Sequence, residues 1–163
     1  MDRKRSFAPV VAPDTRVLVL GSLPGDASLA AARYYAHPRN LFWHLIGQVI
    51  GRNLAALDYD QRLAALLAAK VGLWDTVASA HRPGSLDAAI RQAEPNSLAA
   101  LAGSLPQLQA IGFNGQTSAR TGMPALAESG LALVPLPSSS PAHAAMPLAE
   151  KEKLWSALRE FLA

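Results

Sequence analysis

Four short apolar runs, each followed by a polar loop, restrict the folds that this chain of 163 residues can adopt. The runs span residues 17–20, 73–78, 108–113 and 131–136. Continuous apolar runs of this length are typical of strands that are buried on both faces, as in a parallel sheet. Segments with a helical pattern lie between them, so strands and helices alternate four times. The sequence predicts an α/β fold of three layers, in which helices flank a central, mostly parallel four-stranded sheet.

The intervening helices are marked by apolar spacing and by glycines at their ends. We expect helices at residues 28–33, 41–50, 59–71, 96–105 and 147–162, and one that leads from the turn at 114–117 to Gly130. Residues 1–14 are polar and contain proline, which predicts an N-terminal arm. Because neither a linker nor an internal repeat divides the chain, we expect one domain over residues 1–163.

Composition excludes several classes of function. The absence of cysteine excludes disulfides, thiolate-held iron–sulfur clusters and a cysteine nucleophile, and it fits a cytoplasmic location. No apolar run approaches ~20 residues, so no membrane span is expected. The four histidines lie far apart without ligand spacing, so neither a metal nor another cofactor is expected. A net charge of +3 permits an anionic partner such as nucleic acid without requiring one.

Residues 34–43, with the sequence YYAHPRNLFW, hold four of the ten aromatic residues of the chain. Pro38 disfavours helix for the residue before it, so we expect an irregular loop and then a helix that Asn40 could cap. Rings, an amide and a guanidinium on a rigid loop suit a flat polar ligand beside a phosphate. An aromatic core with a capping asparagine is the alternative.

Five polar loops should meet at one edge of the sheet, because parallel strands place their carboxyl ends together. They span residues 21–25, 34–40, 75–87, 113–117 and 137–143. The first, GSLPG, is neither a Walker loop nor a Gly-x-Gly-x-x-Gly motif. The chain also lacks a Gly-x-Ser-x-Gly elbow, so the serines around Ser139 are poor candidates for a hydrolase nucleophile.

Taken together, the loop motifs resemble those of the uracil-DNA glycosylase superfamily. GSLPG at 21–25 is similar to its first motif, and PSSSPAH at 137–143 to its second, the minor-groove loop. YYAHPRN-x-FW at 34–43 closely resembles the hypoxanthine-DNA (deoxyinosine) glycosylase branch, also called family six. LWDTV at 73–77, GSLD at 84–87 and GFN at 112–114 resemble the same branch. The resemblance extends from about Val17 to the last helix.

This resemblance implies a DNA repair enzyme that flips deoxyinosine out of DNA and hydrolyses its N-glycosidic bond with water, leaving an abasic site. Because no lysine occupies a motif, the resemblance implies a monofunctional glycosylase. Uracil-removing relatives carry Asp or Asn in the first motif to position water, whereas Leu23 stands here. The resemblance assigns the catalytic amide to Asn40 instead, and His143 could stabilise the departing base.

The resemblance also suggests a set of binding residues. Those expected to contact the base are Gly21, Ser22, Leu23, Tyr35, Asp75 and Asn114, with Tyr35 as the stacking surface. Those expected to contact DNA are Arg39, Arg82, Ser138, Ser139, Ser140, Pro141 and Ala142. Simpler alternatives are core packing for Phe42 and Trp43, a structural carboxylate for Asp75, a surface or phosphate-contacting position for His143, and solvated charges for the two arginines.

The expected partner is DNA containing a deaminated base. The protein is expected to be a monomer and not to bind a membrane. Two alternatives stay open from the sequence. One is excision of uracil or xanthine by the same fold. The other is a non-catalytic protein that binds damaged or single-stranded DNA.

Overall fold

The computed structural model describes residues 3–163, which form two sheets and the helices around them. The strands are β1 (Lys4–Arg5), β2 (Val17–Gly21), β3 (Val71–Asp75), β4 (Val77–His81), β5 (Arg91–Pro95), β6 (Ala110–Asn114) and β7 (Ala132–Leu136). The α-helices are α1 (Asp26–Ala31), α2 (Phe42–Ile50), α3 (Tyr59–Ala68), α4 (Leu98–Gly103), α5 (Gln116–Ala125) and α6 (Leu148–Trp155). Short 3-10 helices lie at Leu54–Ala56, Asp87–Ala89 and Ser156–Phe161.

The central sheet has the strand order β3-β2-β6-β7, and all three pairings are parallel. Val17 at the start of β2 faces Val71 of β3 and Ala110 of β6, so the strands begin in register. Their carboxyl ends therefore lie side by side. The prediction of a three-layer α/β fold around a four-stranded parallel sheet is confirmed.

Strand β2 shows why the apolar runs are continuous. Val17 and Val19 belong to a core cluster that includes residues of α2, α3 and α6, while Leu18 and Leu20 belong to a second cluster with residues of α4 and the loops around it. Because alternate side chains of a strand point to opposite faces, both faces of the strand need apolar residues.

The predicted strand at 73–78 is wrong as a single element. Thr76 divides it into β3, in the parallel sheet, and β4, in a second, antiparallel sheet of order β1-β4-β5. At the division the Thr76 amide donates to the Gly21 carbonyl (2.8 Å) and the Val77 amide to the Ser22 carbonyl (3.0 Å). The sequence did not predict this second sheet, because every residue of β5 is exposed and so shows no apolar pattern.

Residues 3–14 lie against the body of the protein rather than forming a free arm; the first two residues of the predicted arm lie outside the described part. Val10 forms an antiparallel bridge with Leu73, and the Trp74 indole donates to the Phe7 carbonyl (3.0 Å). Thr15 is fully buried. These contacts cover the outer edge of β3.

Five of the six predicted helices end earlier than expected, and α3, α5 and α6 differ most. Helix α3 stops at Ala68 because Lys70 adopts a positive φ of 68° and Val71 begins β3. Helix α5 ends at Ala125, well before Gly130, and the last helix changes to a 3-10 helix at Ser156. Within residues 3–163, no helix is both long and apolar enough to cross a membrane.

Replacing Gly47 of α2 by alanine should destabilise the fold although alanine favours helix. A Cβ at this position would lie 2.6 Å from the backbone carbonyl oxygen of Arg52, which cannot move without shifting the chain. We expect Gly47→Ala to lower the free energy of unfolding by about 1–3 kcal/mol in urea titrations. The matched control is Gly103→Ala in α4, where a Cβ meets nothing within 4 Å. Here we expect no loss, or a gain of up to about 1 kcal/mol. Equal effects would contradict the steric argument.

Candidate active site

A pocket of about 270 Å³ opens at the carboxyl edge of the parallel sheet. This volume lies near the lower end of the ~300–1,000 Å³ usual for small-molecule sites. Residues from all five predicted loops line it, including Gly21, Tyr35, Asp75, Asn114 and His143. The predicted convergence of these loops is confirmed.

The end of β2 approaches the pocket so closely that only glycine fits at position 21. A Cβ there would lie 2.6 Å from Asp75 Oδ1 and 3.0 Å from the Tyr35 hydroxyl. Ser22 follows and donates its hydroxyl to Asp87 Oδ1 (2.6 Å). Leu23 is 6% exposed and lies in a small apolar cluster with Val77 and Ala80. Its side chain has no polar atom, so it cannot position water.

Asp75 ends β3 as a buried carboxyl group, 3% exposed, in the wall of the pocket. Among residues 3–163 its Oδ2 has no hydrogen-bond partner. Burial raises the pKa of Asp75 to about 7, and the negative charge of Asp87 contributes to this increase. The positive charge of Arg82 lowers the pKa but does not cancel the other two effects. A carboxyl group of this kind is typical of functional sites.

Tyr35 is held in an unusual conformation at the back of the pocket. Its φ is +53°, a left-handed value that costs a residue with a Cβ about 1–3 kcal/mol. Its ring stacks on Phe42 with centroids 3.9 Å apart and planes at 13°, and its carbonyl accepts the Trp43 indole N–H (3.1 Å). Phe42 and Trp43 are 0% and 6% exposed, which confirms the core-packing alternative for both.

Asn40 lines the same pocket and also supports helix α2. Its Oδ1 accepts the Phe42 amide N–H (3.0 Å), and its backbone amide donates to the His37 carbonyl (3.0 Å). The helix begins at Phe42, one residue later than expected, with Leu41 as its N-cap, so Asn40 holds the turn before the helix and the prediction that it caps the helix is wrong. An asparagine amide has two N–H donors and two lone pairs. The helix uses one lone pair, and within residues 3–163 no hydrogen bond involves Nδ2, so the group has donors available for a ligand.

Asn114, expected to contact the base, anchors the loop at 137–143. Its Oδ1 accepts the Ser139 amide (2.9 Å), and its Nδ2 donates to Ser139 Oγ (2.9 Å) and to the Tyr35 hydroxyl (3.4 Å). Ser139 is 1% exposed, and its carbonyl accepts the Leu41 amide (2.9 Å). Ser139 therefore joins two loops inside the protein and is not on the surface that meets DNA, contrary to the prediction for this serine.

The sequence analysis missed Lys151, a lysine of α6 that is 1% exposed. Its Nζ donates to the Ser138 carbonyl (2.8 Å) and to the His143 carbonyl (2.6 Å), and burial lowers its pKa. It braces the loop at 137–143 from below. The available signal was its position four residues before the buried Trp155, which places both on one face of the helix.

His143 closes the pocket on the side of this loop. Its backbone amide donates to the Ser140 carbonyl (3.0 Å), which turns the chain. Its ring Nε2 is buried and has no hydrogen-bond partner among the described residues. A buried ring nitrogen without a partner is rare, and beside a pocket it marks His143 as a candidate for a contact that a ligand would supply.

The two arginines of the predicted DNA surface differ in their exposure to solvent. Arg39 is exposed on the loop before α2. Arg82 is 1% exposed, and its guanidinium donates to the carbonyls of Leu23 (3.2 Å), Pro24 (2.7 Å) and Gly84 (2.8 Å). The prediction that Arg82 contacts phosphate is wrong, because a buried guanidinium with these partners has no surface to offer DNA. It instead joins the first loop to the loop after β4.

With this geometry established, the chain can be compared with known proteins. The model of the uracil DNA glycosylase superfamily matches residues 8–160, so the chain belongs to that superfamily. A protein from Methanosarcina barkeri named hypoxanthine DNA glycosylase is 42% identical over 116 residues, 71% of this chain and 73% of that protein.

A second protein with the same name, from Methanosarcina acetivorans, is 39% identical over 140 residues, 86% of this chain and 88% of that protein. Among solved structures, the solution NMR structure of a candidate uracil DNA glycosylase from Methanosarcina acetivorans has a TM-score of 0.89 and 37% identity. That match covers 98% of this chain and 99% of the other. The resemblance inferred from the loop motifs is confirmed.

Neutralising the two arginines should separate their roles. Arg82→Met leaves three carbonyls without their donor, so we expect a loss of about 1–3 kcal/mol in the free energy of unfolding. The salt dependence of DNA binding should not change. Arg39→Met is the matched control: we expect stability within about 0.5 kcal/mol of the unmodified protein and a salt slope lower by about one unit. Urea unfolding and titration of fluorescent DNA at several salt concentrations measure both. A stable Arg82→Met variant with a reduced slope would return Arg82 to the phosphate contacts.

Proposed function

We propose that this protein is a monofunctional DNA glycosylase that hydrolyses the N-glycosidic bond of deoxyinosine in DNA, releasing hypoxanthine and leaving an abasic site. The observation that carries the proposal is the pocket that brings the available amide of Asn40 together with the unpaired Nε2 of His143 and the unpaired carboxyl group of Asp75. Relatives at 39–42% identity that are named hypoxanthine DNA glycosylase support the choice of base.

The target base must leave the duplex before it can enter this pocket. The Tyr35 ring, held on Phe42, serves as the surface against which the flipped base stacks. Gly21 allows the backbone of the first loop to approach the base, and Ser22 and Asp75 lie beside it to contact its polar edge. Asn114 acts mainly through Tyr35 and Ser139.

The chemical step breaks the bond between C1′ and N9, and its electron pair goes to the base. The sugar then resembles an oxocarbenium ion, and the oxygen of a water molecule bonds to C1′. Asn40 orients that water and donates an amide N–H, and His143 stabilises the negative charge that develops on the base. A proton from the water ends on the departing hypoxanthine. Leu23 offers no polar atom for this task, which supports Asn40 as the residue that orients the water.

Contacts with the DNA backbone come from the exposed Arg39 and from the loop at 137–143. The surface of that loop includes Ser138, Ser140, Pro141 and Ala142, which all line the pocket rim. Ser139 and Lys151 hold this loop from inside. We propose that the chain acts on DNA in the cytoplasm as one domain and as a monomer.

Incubation with labelled duplexes, followed by alkali, tests the proposal. One duplex carries a single deoxyinosine, and matched duplexes carry deoxyuridine, deoxyxanthosine or deoxyadenosine at the same position. We expect strand cleavage at deoxyinosine, and only after alkali, because a monofunctional enzyme leaves the abasic site intact. Preferential cleavage at deoxyuridine would identify a uracil-removing enzyme. Binding of inosine DNA without cleavage would identify a non-catalytic binder.

Replacing Asn40 by serine should separate catalysis from the structural contact with Phe42. A serine hydroxyl still accepts the Phe42 amide, whereas loss of this hydrogen bond would cost about 1 kcal/mol of stability. We expect Asn40→Ser to unfold at the same urea concentration and to bind inosine DNA normally. Its single-turnover rate should fall by at least about 10²–10³, the usual cost of one lost oxyanion-type donor. Near-normal turnover would mean that Asn40 only holds the turn before α2. Asp75 and His143 would then be the next candidates for orienting the water.

A further inference from the structure

The surroundings of the Asp75 carboxyl group favour its uncharged acid form over the carboxylate. The residue ends the buried strand β3, is 3% exposed, and leaves Oδ2 without a hydrogen-bond partner in the described chain. A buried carboxylate normally gathers N–H or O–H donors. Among residues 3–163 no such donor approaches this oxygen, and Asp75 lines the pocket that would receive a ligand.

The charges around Asp75 favour the same state. The negative charge that acts most strongly on Asp75 is the carboxylate of Asp87, which helps to raise the pKa of Asp75 and whose Oδ1 accepts the Ser22 hydroxyl at 2.6 Å. Arg82 is the nearby cation, but its N–H groups are directed to three carbonyls, and Asp26 lies 3.7 Å from it. The remaining titratable groups near the pocket are Tyr34, Tyr35, His37 and His143.

A neutral Asp75 would match both polar groups on one edge of hypoxanthine. The 6-oxo oxygen of this base is an acceptor, and the neighbouring N1–H is a donor. A carboxylate has only acceptors, so it would repel the 6-oxo oxygen, whereas a neutral carboxylic acid presents one donor and one acceptor. The neutral acid therefore matches both groups, and its O–H also stabilises the negative charge that spreads to the 6-oxo oxygen as the bond breaks.

We propose that Asp75 is protonated when the flipped base binds and donates its O–H to the 6-oxo oxygen of hypoxanthine. Excision then depends on the acid form of this residue, which makes Asp75 both a specificity residue for 6-oxopurines and a source of pH dependence. The inference rests on the proposed function, because it takes hypoxanthine as the base.

The pH dependence of kcat/KM for inosine DNA tests the inference, because this parameter reports the ionisation of the free enzyme. The pKa of Asp75 is raised to about 7, so the acid form predominates below that pH and is lost above it. We expect kcat/KM to fall toward tenfold per pH unit above this value, hence by about tenfold at pH 8 relative to pH 6, a range in which inosine keeps its N1–H.

Two variants assign this alkaline fall to Asp75. Asp75→Asn presents an amide N–H at every pH, so this variant should stay active and show no decrease of kcat/KM between pH 6 and 8. At pH 8 its kcat/KM should exceed that of the unmodified enzyme. Asp87→Asn removes the charge that helps to keep Asp75 protonated, so the fall should move to lower pH. An inactive Asp75→Asn variant, an unchanged fall in either variant, or a flat profile of the unmodified enzyme would overturn the inference.

A second measurement needs only the unmodified protein. Duplexes carrying 2′-deoxynebularine present a purine without the 6-oxo oxygen. Between pH 6 and 8, a range in which inosine keeps its N1–H, we expect binding of inosine DNA to weaken more steeply than binding of nebularine DNA, because only inosine carries the oxygen that accepts the Asp75 proton. Equal pH dependence of the two would contradict proton donation to the oxygen. Failure to release hypoxanthine at any pH would instead refute the proposed function itself, so the two failures are distinguishable.

Discussion

Parallel pairing of four buried strands is the constraint on which the rest of this structure depends. Because β3, β2, β6 and β7 run in one direction and start in register, the residues that follow them meet at one edge. Gly21, Asp75, Asn114 and the loop at 137–143 thus come together although they are up to about 120 residues apart in the chain. The helices cover both faces of the sheet and leave this edge open.

The loops at that edge are fixed from inside by polar groups that are themselves buried. Asn114 binds both the backbone and the side chain of Ser139, Lys151 binds two carbonyls of the same loop, and Arg82 binds three carbonyls near the first loop. Burying a cation is unfavourable for folding unless hydrogen bonds or an opposite charge compensate it, and Arg82 also has Asp26 at 3.7 Å. Here the cations satisfy carbonyls that a buried loop would otherwise leave unpaired, so the loops keep one shape.

Three departures from ordinary folding preferences lie in the pocket. Tyr35 adopts a left-handed backbone conformation, Asp75 keeps an unpaired oxygen, and His143 keeps an unpaired ring nitrogen. The aromatic cluster of Phe42, Trp43 and Trp155 behind them packs as a core should. Proteins tolerate such local costs where binding or chemistry requires them.

The sequence by itself determined the parallel α/β architecture, the meeting of the loops and the pocket residues on them. The reason is local: apolar runs buried on both faces, glycines at helix ends and loop motifs are all readable along the chain. It did not determine the second sheet, since β5 is exposed, nor the division of the strand at Thr76, which depends on carbonyls of another strand. Only the tertiary structure decided that Arg82 and Ser139 are internal supports, that Lys151 braces the loop, and that Asp75 faces Asp87. Charge and burial of these groups depend on neighbours that are distant in sequence, and no local pattern carries that information.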